Sequence, residues 1–322
     1  MKSQFVKDIK NAQSINDVFV INSISAPINY KGKLGSWLSL DLSDSTGIIP
    51  AKIWGDNPDN SDVQNLFSSL KRGNVVAIIG TAEKYQENPL AISIKPNNIK
   101  VKNEGEYDKK DFVAFAENID GMVGELKSII SNVNNQHIKK LLERFINDSQ
   151  FMKEFSEAPA AKKLHHARIG GLLEHILSLM KVSLKVAELH PELDKDLLIA
   201  ACMFHDIGKM KEYKITTMID ITTEGRLLGH ISIGQQLVSQ KMQELGTPEI
   251  EKLKILHMIL SHHGELEHGS PVKPAFPEAI AFHQIDNLDA QTELSIQFKN
   301  DSAEDEWDWM QEFSNSKPIY LK

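Results

Sequence analysis

The stretch "CMFHDIGKM", residues 202–210, sets His205 beside Asp206 directly after an apolar run, and then adds Gly208 and Lys209. Adjacent residues on a helix point in different directions. Two metal-binding side chains in neighbouring positions therefore make chemical sense only where a helix ends and its last turn relaxes. There His205 could hold one cation while Asp206 lies between two. Gly208 would let the chain turn tightly, and Lys209 could reach a phosphate oxygen. Further donors follow in order: His175 in "GGLLEHILSLM", His230 after "RLLG", His262 and His263 in "LSHHGE", and Asp286 in "AFHQIDNLDA". Imidazole and carboxylate donors together suit manganese, iron, cobalt, nickel or zinc. A structural zinc site usually uses thiolates, and Cys202 is the lone cysteine. Paired divalent cations hydrolyse phosphodiesters by activating water and clamping phosphate oxygens.

Each residue also has an ordinary reading. A lone histidine on a helix, such as His175, is usually a satisfied, half-buried side chain. His262-His263 fits an exposed loop pair, and Asp286 fits a cap or an ion-pair partner. The order of the series, each member on or at the end of an expected helix, favours a metal site. Cys202 lies beside Ala200 and Ala201 on an expected buried helix, which suits packing rather than nucleophilic chemistry.

Two kinds of element must carry these residues. Up to residue 102 the pattern is that of strands: "VFVINSISAPI", "GSWLSLDLSD", "GIIPAKIWG", "NVVAIIGTAEKY" and "LAISIKPNNIKV". Turn residues punctuate them, and one helical stretch, "SDVQNLFSSLKRG", falls between the third and fourth strands. Five strands with a helix in that place predict an OB-type barrel. The polar "KNEGEYDKKD", residues 102–111, reads as a linker. Beyond it the period is helical: Met122, Leu126, Ile129, Ile130 and Val133 share a face, as do Ile138, Leu141, Leu142 and Phe145. Further helices are expected near 171–189, 195–205, 230–244, 248–260 and 277–290. The C-terminal "DSAEDEWDWMQEFSNSKPIYLK" is acidic and aromatic and suits a docked tail or a homo-oligomer contact.

The chain has 322 residues, which suits two domains. Its single cysteine rules out a disulfide framework within one chain and fits a reducing cytoplasm. No signal peptide or membrane-spanning run is evident, so a cytoplasmic protein with no membrane partner is expected. A net charge of −8 argues against a broadly basic nucleic-acid binder. The charge is uneven: residues 1–102 carry twelve Lys/Arg against nine Asp/Glu, and the remainder carries 24 against 35. Bound cations would offset that acidity where a polyanion must approach.

Small barrels bind single strands with basic side chains and aromatic rings that stack on bases. Tyr30, Lys31, Lys33, Trp54 and Tyr85 are the candidates here, with Trp37, Lys52 and Lys84 nearby. Trp37 and Trp54 lie in alternating strand patterns beside Leu38 and Ile53, as core residues do. Tyr30 and Tyr85 sit near turns and are the freer rings.

The series H…HD…H…HH…D resembles the HD superfamily of metal-dependent phosphohydrolases. The segments "KLHHARIGGLLEHILSL", "HDIGK", "LLGHISIG", "ILSHHGELEHGSPVKPAFPEAIAFHQIDNLDA" and "DSTGIIPAKIWG" are similar to those of YhaM-type 3′–5′ exoribonucleases, over roughly residues 13–290. The resemblance implies an α+β multidomain chain: an N-terminal five-stranded OB-type β-barrel followed by an all-α HD-type helical domain. The boundaries expected are 1–102 for the barrel, 103–150 for the linker and connecting helices, 151–300 for the HD domain and 301–322 for the tail. It also implies that His175, His205, Asp206 and Asp286 hold one ion, and Asp206, His230 and His262 a second. His263 is the less certain member of its pair, and Asp289 is a structural neighbour of Asp286. Lys209 and Asp206 would serve catalysis. His165 and His166 would line the substrate entrance or cap a helix, and His283 would support a ligand. The implied cofactor is manganese. The implied substrate is single-stranded RNA, with single-stranded DNA accepted by some similar enzymes. Two rivals are a phosphohydrolase of a small nucleotide and a non-catalytic RNA-binding adaptor.

Overall fold

The computed structural model describes residues 2–85, 88–162, 167–301, 306–309 and 318–322. The chain divides into two compact units. One comprises Met1–Phe115 with Ile215–Ile219, and the other Ala116–Lys214 with Asp220–Lys322.

The first unit is built from β1 (Ser14–Ile24), β2 (Ile28–Asn29), β3 (Ser36–Asp44), β4 (Gly47–Trp54), β5 (Val75–Glu83) and β6 (Ala91–Lys102), with helix α1 (Ser61–Ser69) between β4 and β5. Period-two alternation sorts the faces. Leu38, Leu40 and Leu42 of β3 and Ile49, Ala51 and Ile53 of β4 point into one apolar core. A register shift between Ile21 and Ser23 bends β1, which pairs with β5 along its first part and with β3 along its last. Pairing thus runs β1–β5–β6–β4–β3 and returns to β1. The parallel β4–β6 seam spans only Ala51–Ile53 against Ile92–Ile94, in keeping with the partly open OB-type barrel. Pro50 sits on the part of β4 that has no β6 partner. The five expected strands are present. The first ends at Ile24, before Pro27, and its expected tail becomes the short β2, which pairs with Trp37 and Ser36.

The second unit contains α2 (Ile119–Ser131), α3 (Gln136–Ile146), α4 (Ser149–Glu157), α5 (Gly171–Leu189), α6 (Lys195–Phe204), the short α7 (Lys209–Glu212), α8 (Thr223–Leu245), α9 (Glu249–Ser261) and α10 (Pro277–Asp301). A small hairpin, β7 (Tyr213–Ile215) and β8 (Ile219–Ile221), separates α7 from α8, and β9 (Trp307–Trp309) pairs with β10 (Pro318–Tyr320). Side-chain caps open several helices: Asn135 for α3, Asp148 for α4, Asp194 for α6 and Thr222 for α8. Helix α4 buries only Met152 and Phe155, too short a stripe to read from periodicity. The connecting helices expected beyond the linker are α2 and α3, which contribute Leu126, Ile130, Leu141, Leu142 and Phe145 to the core of this unit. From Leu197 onward helix α6 is apolar all round, and the helix packs against α3, α5, α9 and α10. Among the described residues no helix is long and apolar enough to cross a membrane.

Asp196 anchors the start of α6. Its buried carboxylate accepts the N–H groups of Asn134 and Asn135, at 2.8 and 2.7 Å, in the turn between α2 and α3. Hydrogen bonds to a charged acceptor contribute about 1.5–3 kcal/mol each, and their loss strands two donors. Asp196→Ala is therefore expected to destabilise the helical unit by about 3 kcal/mol, read as a lowered urea midpoint for that unit. An unchanged midpoint would show that these bonds do not hold α6 in place.

Candidate metal centre

Five helices or helix ends bring the donors together. His175 projects from the middle of α5, Asp286 from α10, and His262 caps the end of α9. His205 caps α6 while still in helical conformation, at φ −55° and ψ −43°. The chain then tightens: the Ile207 N–H bonds to Phe204 O and the Lys209 N–H to Asp206 O, each three residues back. That tightening turns Asp206 toward the same centre as His205. Gly208 is at φ −65°, an ordinary helical value, so it is not needed for a tight turn. Its role is close approach. A Cβ there would lie 2.0 Å from the His230 carbonyl oxygen and 2.7 Å from the Gly234 nitrogen. Gly229, at φ +70° and ψ +155°, breaks α8. His230 therefore opens the second segment, as expected, although the helix itself begins at Thr223.

One group of atoms gathers around His175 and His205. Their Nε2 atoms are 3.3 Å apart, and Asp286 Oδ1 lies 3.2 Å from the first and 3.7 Å from the second. Each ring has its other nitrogen engaged. His175 Nδ1–H donates to Asp289 Oδ2 at 2.7 Å, and His205 Nδ1–H donates to Cys202 O at 3.1 Å. Both Nε2 lone pairs therefore face the same point, an arrangement that repels unless a proton or a cation sits between them.

A second group comprises His230, His262 and His263, whose ring nitrogens lie within 4.8 Å of one another. His230 Nδ1 donates to Glu212 Oε2 at 3.2 Å, His262 Nδ1 to Ile259 O at 2.8 Å and His263 Nδ1 to His268 O at 2.9 Å. Asp206 joins the two groups. Its Oδ2 is 3.3 Å from His205 Nε2, and its Oδ1 is 3.4 Å from His230 Nε2 and 3.7 Å from His262 Nε2. Asp206 Oδ1, His230 Nε2 and His262 Nε2 are buried and have no hydrogen-bond partner. Buried polar atoms left unpaired are costly, and three of them aimed at one another fit a divalent cation.

Electrostatics agree. Burial would raise the Asp206 pKa, but Lys209 and His205 hold the carboxyl well below its usual range. Burial likewise opposes ionisation of Asp286, yet His205 and His175 hold it low. Burial would also lower the His175 pKa, but the bonds to Asp286 and Asp289 outweigh it and raise the value to about 9. Burial, with His205 beside it, pushes His262 well down, and His263 is lowered by burial as well. The carboxylates thus remain ionised and demand positive charge, while His262 offers a neutral ring with a free lone pair.

The centre opens into a cavity of about 530 Å³ that also exposes Lys209, Tyr213, His283 and Asn287. Lys209 Nζ lies 2.6 Å from Asp206 Oδ2. His283 Nδ1 donates to the His262 carbonyl at 2.7 Å, which ties α10 to the histidine pair. His257 lies outside this cluster and accepts the Ala275 N–H at 3.0 Å. His165 and His166 lie outside the described residues. Two supporting side chains are plain only in three dimensions. Asp289, one helical turn after Asp286, accepts from His175 and from the Ser178 hydroxyl. Glu212 carries no signal in the sequence at all.

The barrel candidates separate into two places. Tyr30 and Trp54 stack at 6.3 Å with 9° between planes, and Trp37 adjoins Trp54 at 5.8 Å. Lys33 Nζ lies 4.0 Å above the Tyr30 ring, and Lys52 lies beside both tryptophans. Trp54 is 37% exposed. The register pairs Trp37 with Trp54 on the face opposite the buried Leu38 and Ile53, so these tryptophans are outside the core that their strand pattern suggested. Lys31 is exposed in the turn that follows Tyr30. Tyr85 is exposed in the turn after β5 and is no part of the ring cluster.

Comparison with known proteins agrees with both halves. A model of the HD domain matches residues 172–291, and one of the OB-fold nucleic acid binding domain matches residues 20–102. Solved structures with similarity to a part of the chain include the replication factor A related protein of Methanobacterium thermoautotrophicum, at 15% identity and TM-score 0.27, covering 33% of this chain and 96% of that one. Another is the mitochondrial single-stranded DNA binding protein Rim1 of S. cerevisiae, at 14% identity and TM-score 0.24, covering 30% and 100%. The 3′–5′ exoribonuclease YhaM of Bacillus velezensis is 33% identical over 286 residues, 87% of this chain and 85% of that protein. With that identity sustained across both units, the chain belongs to the YhaM 3′–5′ exoribonuclease family.

Proposed function

We propose that this protein is a metal-dependent 3′–5′ exoribonuclease that shortens single-stranded RNA by releasing nucleoside 5′-monophosphates. The observation that carries the reading is the Asp206 carboxylate, whose two oxygens face two separate sets of imidazole nitrogens. His175, His205, Asp206 and Asp286 would hold one ion. Asp206, His230 and His262 would hold a second, with His263 beside them. Manganese suits this donor set, which also accepts iron, cobalt, nickel or zinc. A bound pair of such ions supplies Lewis acidity toward the phosphate and toward an attacking water. The protein does the rest. Asp289 and Glu212 fix the tautomers and orientations of His175 and His230. Lys209 places a fixed positive charge where a phosphate oxygen would develop negative charge. Cys202 does not compete with water as a nucleophile: it is fully buried, and burial pushes its thiol up to about 12. In the other unit the Tyr30, Trp37 and Trp54 rings with Lys33 and Lys52 form a sequence-tolerant platform for a single strand. The 3′ polarity follows the family relative.

Three measurements test this reading. Manganese stoichiometry, followed by equilibrium dialysis, is expected to reach two ions per chain. Asp206→Ala should remove high-affinity binding, and Asp289→Asn should weaken one ion by about 10–100-fold. Full binding by Asp206→Ala would refute the shared-carboxylate centre.

A 5′-labelled single-stranded RNA incubated with the protein and manganese should give a ladder that shortens from the 3′ end, and Asp206→Ala should give none. A labelled mononucleotide appearing first would mean the opposite polarity.

Replacing Tyr30 and Trp54 together with alanine is expected to raise KM for a long strand at least tenfold, since base stacking contributes about 1–3 kcal/mol per base. Cleavage of a dinucleotide should be unchanged. Equal KM for the long strand in variant and wild type would favour a small-nucleotide phosphohydrolase, which needs no platform.

A further inference from the structure

The wall of the metal cavity formed by α10 beyond Asp286 carries chemistry that the hydrolytic reading leaves unused. Asn287 and Gln291 stand one helical turn apart on this wall, and Gln291 Nε2 donates to Asn287 Oδ1 at 2.9 Å. That bond couples the rotation of one amide to that of the other. It leaves the Asn287 Nδ2 group and Gln291 Oε1 outside the bond, both on exposed side chains that line the cavity. Whichever amide donates to the other, one amide nitrogen and one amide oxygen stay outside the bond. Ala290 lies between them in the sequence, and Ala160 and Ala161 line the same cavity. This stretch of α10 thus offers small and neutral polar side chains to a cavity that Lys209 and the imidazoles also line. The volume, about 530 Å³, lies within the range of single small-ligand sites, roughly 300–1,000 Å³.

We propose that Asn287 and Gln291 form a base-edge subsite for the terminal nucleotide, with its base on the alanine wall and its 5′-phosphate at the metal centre. A paired donor and acceptor matches the edge of a nucleobase, which presents the same two functions, and asparagine or glutamine amides read adenine in this way. Because an amide pair can exchange donor and acceptor by rotating, the subsite accepts more than one base. This suits an enzyme that must take each successive residue of a strand. The leaving product, a nucleoside 5′-monophosphate, would fill the same space. The proposal rests on the exonuclease reading for the identity of its ligand, but its test reads binding directly.

The test compares adenosine 5′-monophosphate with ribose 5-phosphate, by calorimetry on the full-length, manganese-loaded protein. The wild type is expected to bind the nucleotide about tenfold or more tightly than the sugar phosphate. N287A/Q291A should bind the nucleotide about as weakly as the sugar phosphate, with the affinity for the sugar phosphate unchanged. Ala290→Phe, which fills the wall, should produce the same loss from a different position. Both substitutions lie on one helix and leave the ion ligands in place, and an unchanged manganese stoichiometry verifies that the centre is intact. Equal affinity for the two ligands in the wild type, or undiminished preference for the nucleotide in the double variant, overturns the subsite. The labelled-RNA assay on the wild type separates the two ideas. A protein that discriminates the base yet leaves RNA intact retains the subsite and loses the nuclease.

Discussion

The helical unit depends on one buried carboxylate. Asp206 is taken out of water and placed between two sets of imidazoles with Lys209 against it. An ionised group in that position costs several kcal/mol of lost hydration, and attraction to neighbouring positive charge must offset it. The surroundings are arranged for that purpose. Two unpaired ring nitrogens, those of His230 and His262, face the unpaired Oδ1, and the Nε2 atoms of His175 and His205 approach one another to 3.3 Å. A cluster of this kind is strained as a set of neutral rings and comfortable as a set of ligands. The fold tolerates the cost because the scaffold is over-determined. Helix α6, apolar from Leu197 onward, is packed on several sides, and its start is pinned by Asp194 and Asp196.

The backing of the imidazoles follows a pattern that bears on how each ion would be held. In each half of the centre one histidine donates to a carboxylate and another to a backbone carbonyl: His175 and His205 in the first, His230 and His262 in the second. A carboxylate partner makes a ring more basic and a better donor to a cation, whereas a carbonyl mainly fixes its tautomer. Repetition of the pair on both sides of Asp206 gives the two halves similar chemistry, although they are assembled from unrelated helices. The His283 bond to the His262 carbonyl then links the second half to α10, the helix that supplies Asp286 to the first.

The barrel shows a different use of the same physics. Alternation along β3 and β4 puts leucines and isoleucines into the core, and by the same period it sends Trp37, Trp54 and Lys52 to the other face. Large rings on an outer face keep apolar surface in water and forgo the gain of core packing. They offset part of that loss by stacking on one another, with Tyr30 and two lysines around them. An aromatic surface edged with positive charge remains.

The sequence by itself determined the period of each half, and with it strands up to residue 102 and helices beyond. It also singled out candidate donors, because residue type decides which atoms can hold a cation. His175, His205, Asp206, His230, His262 and Asp286 were legible for that reason. Contacts between residues far apart in the chain left no such trace. Glu212 behind His230, the approach of Gly208 to the His230 backbone, and the amide pair beside Asp286 arise only when helices pack. The exposure of Trp37 and Trp54 was likewise decided by tertiary structure. Alternation states that two faces differ, but only the closing of the sheet determines which of them is sealed from water.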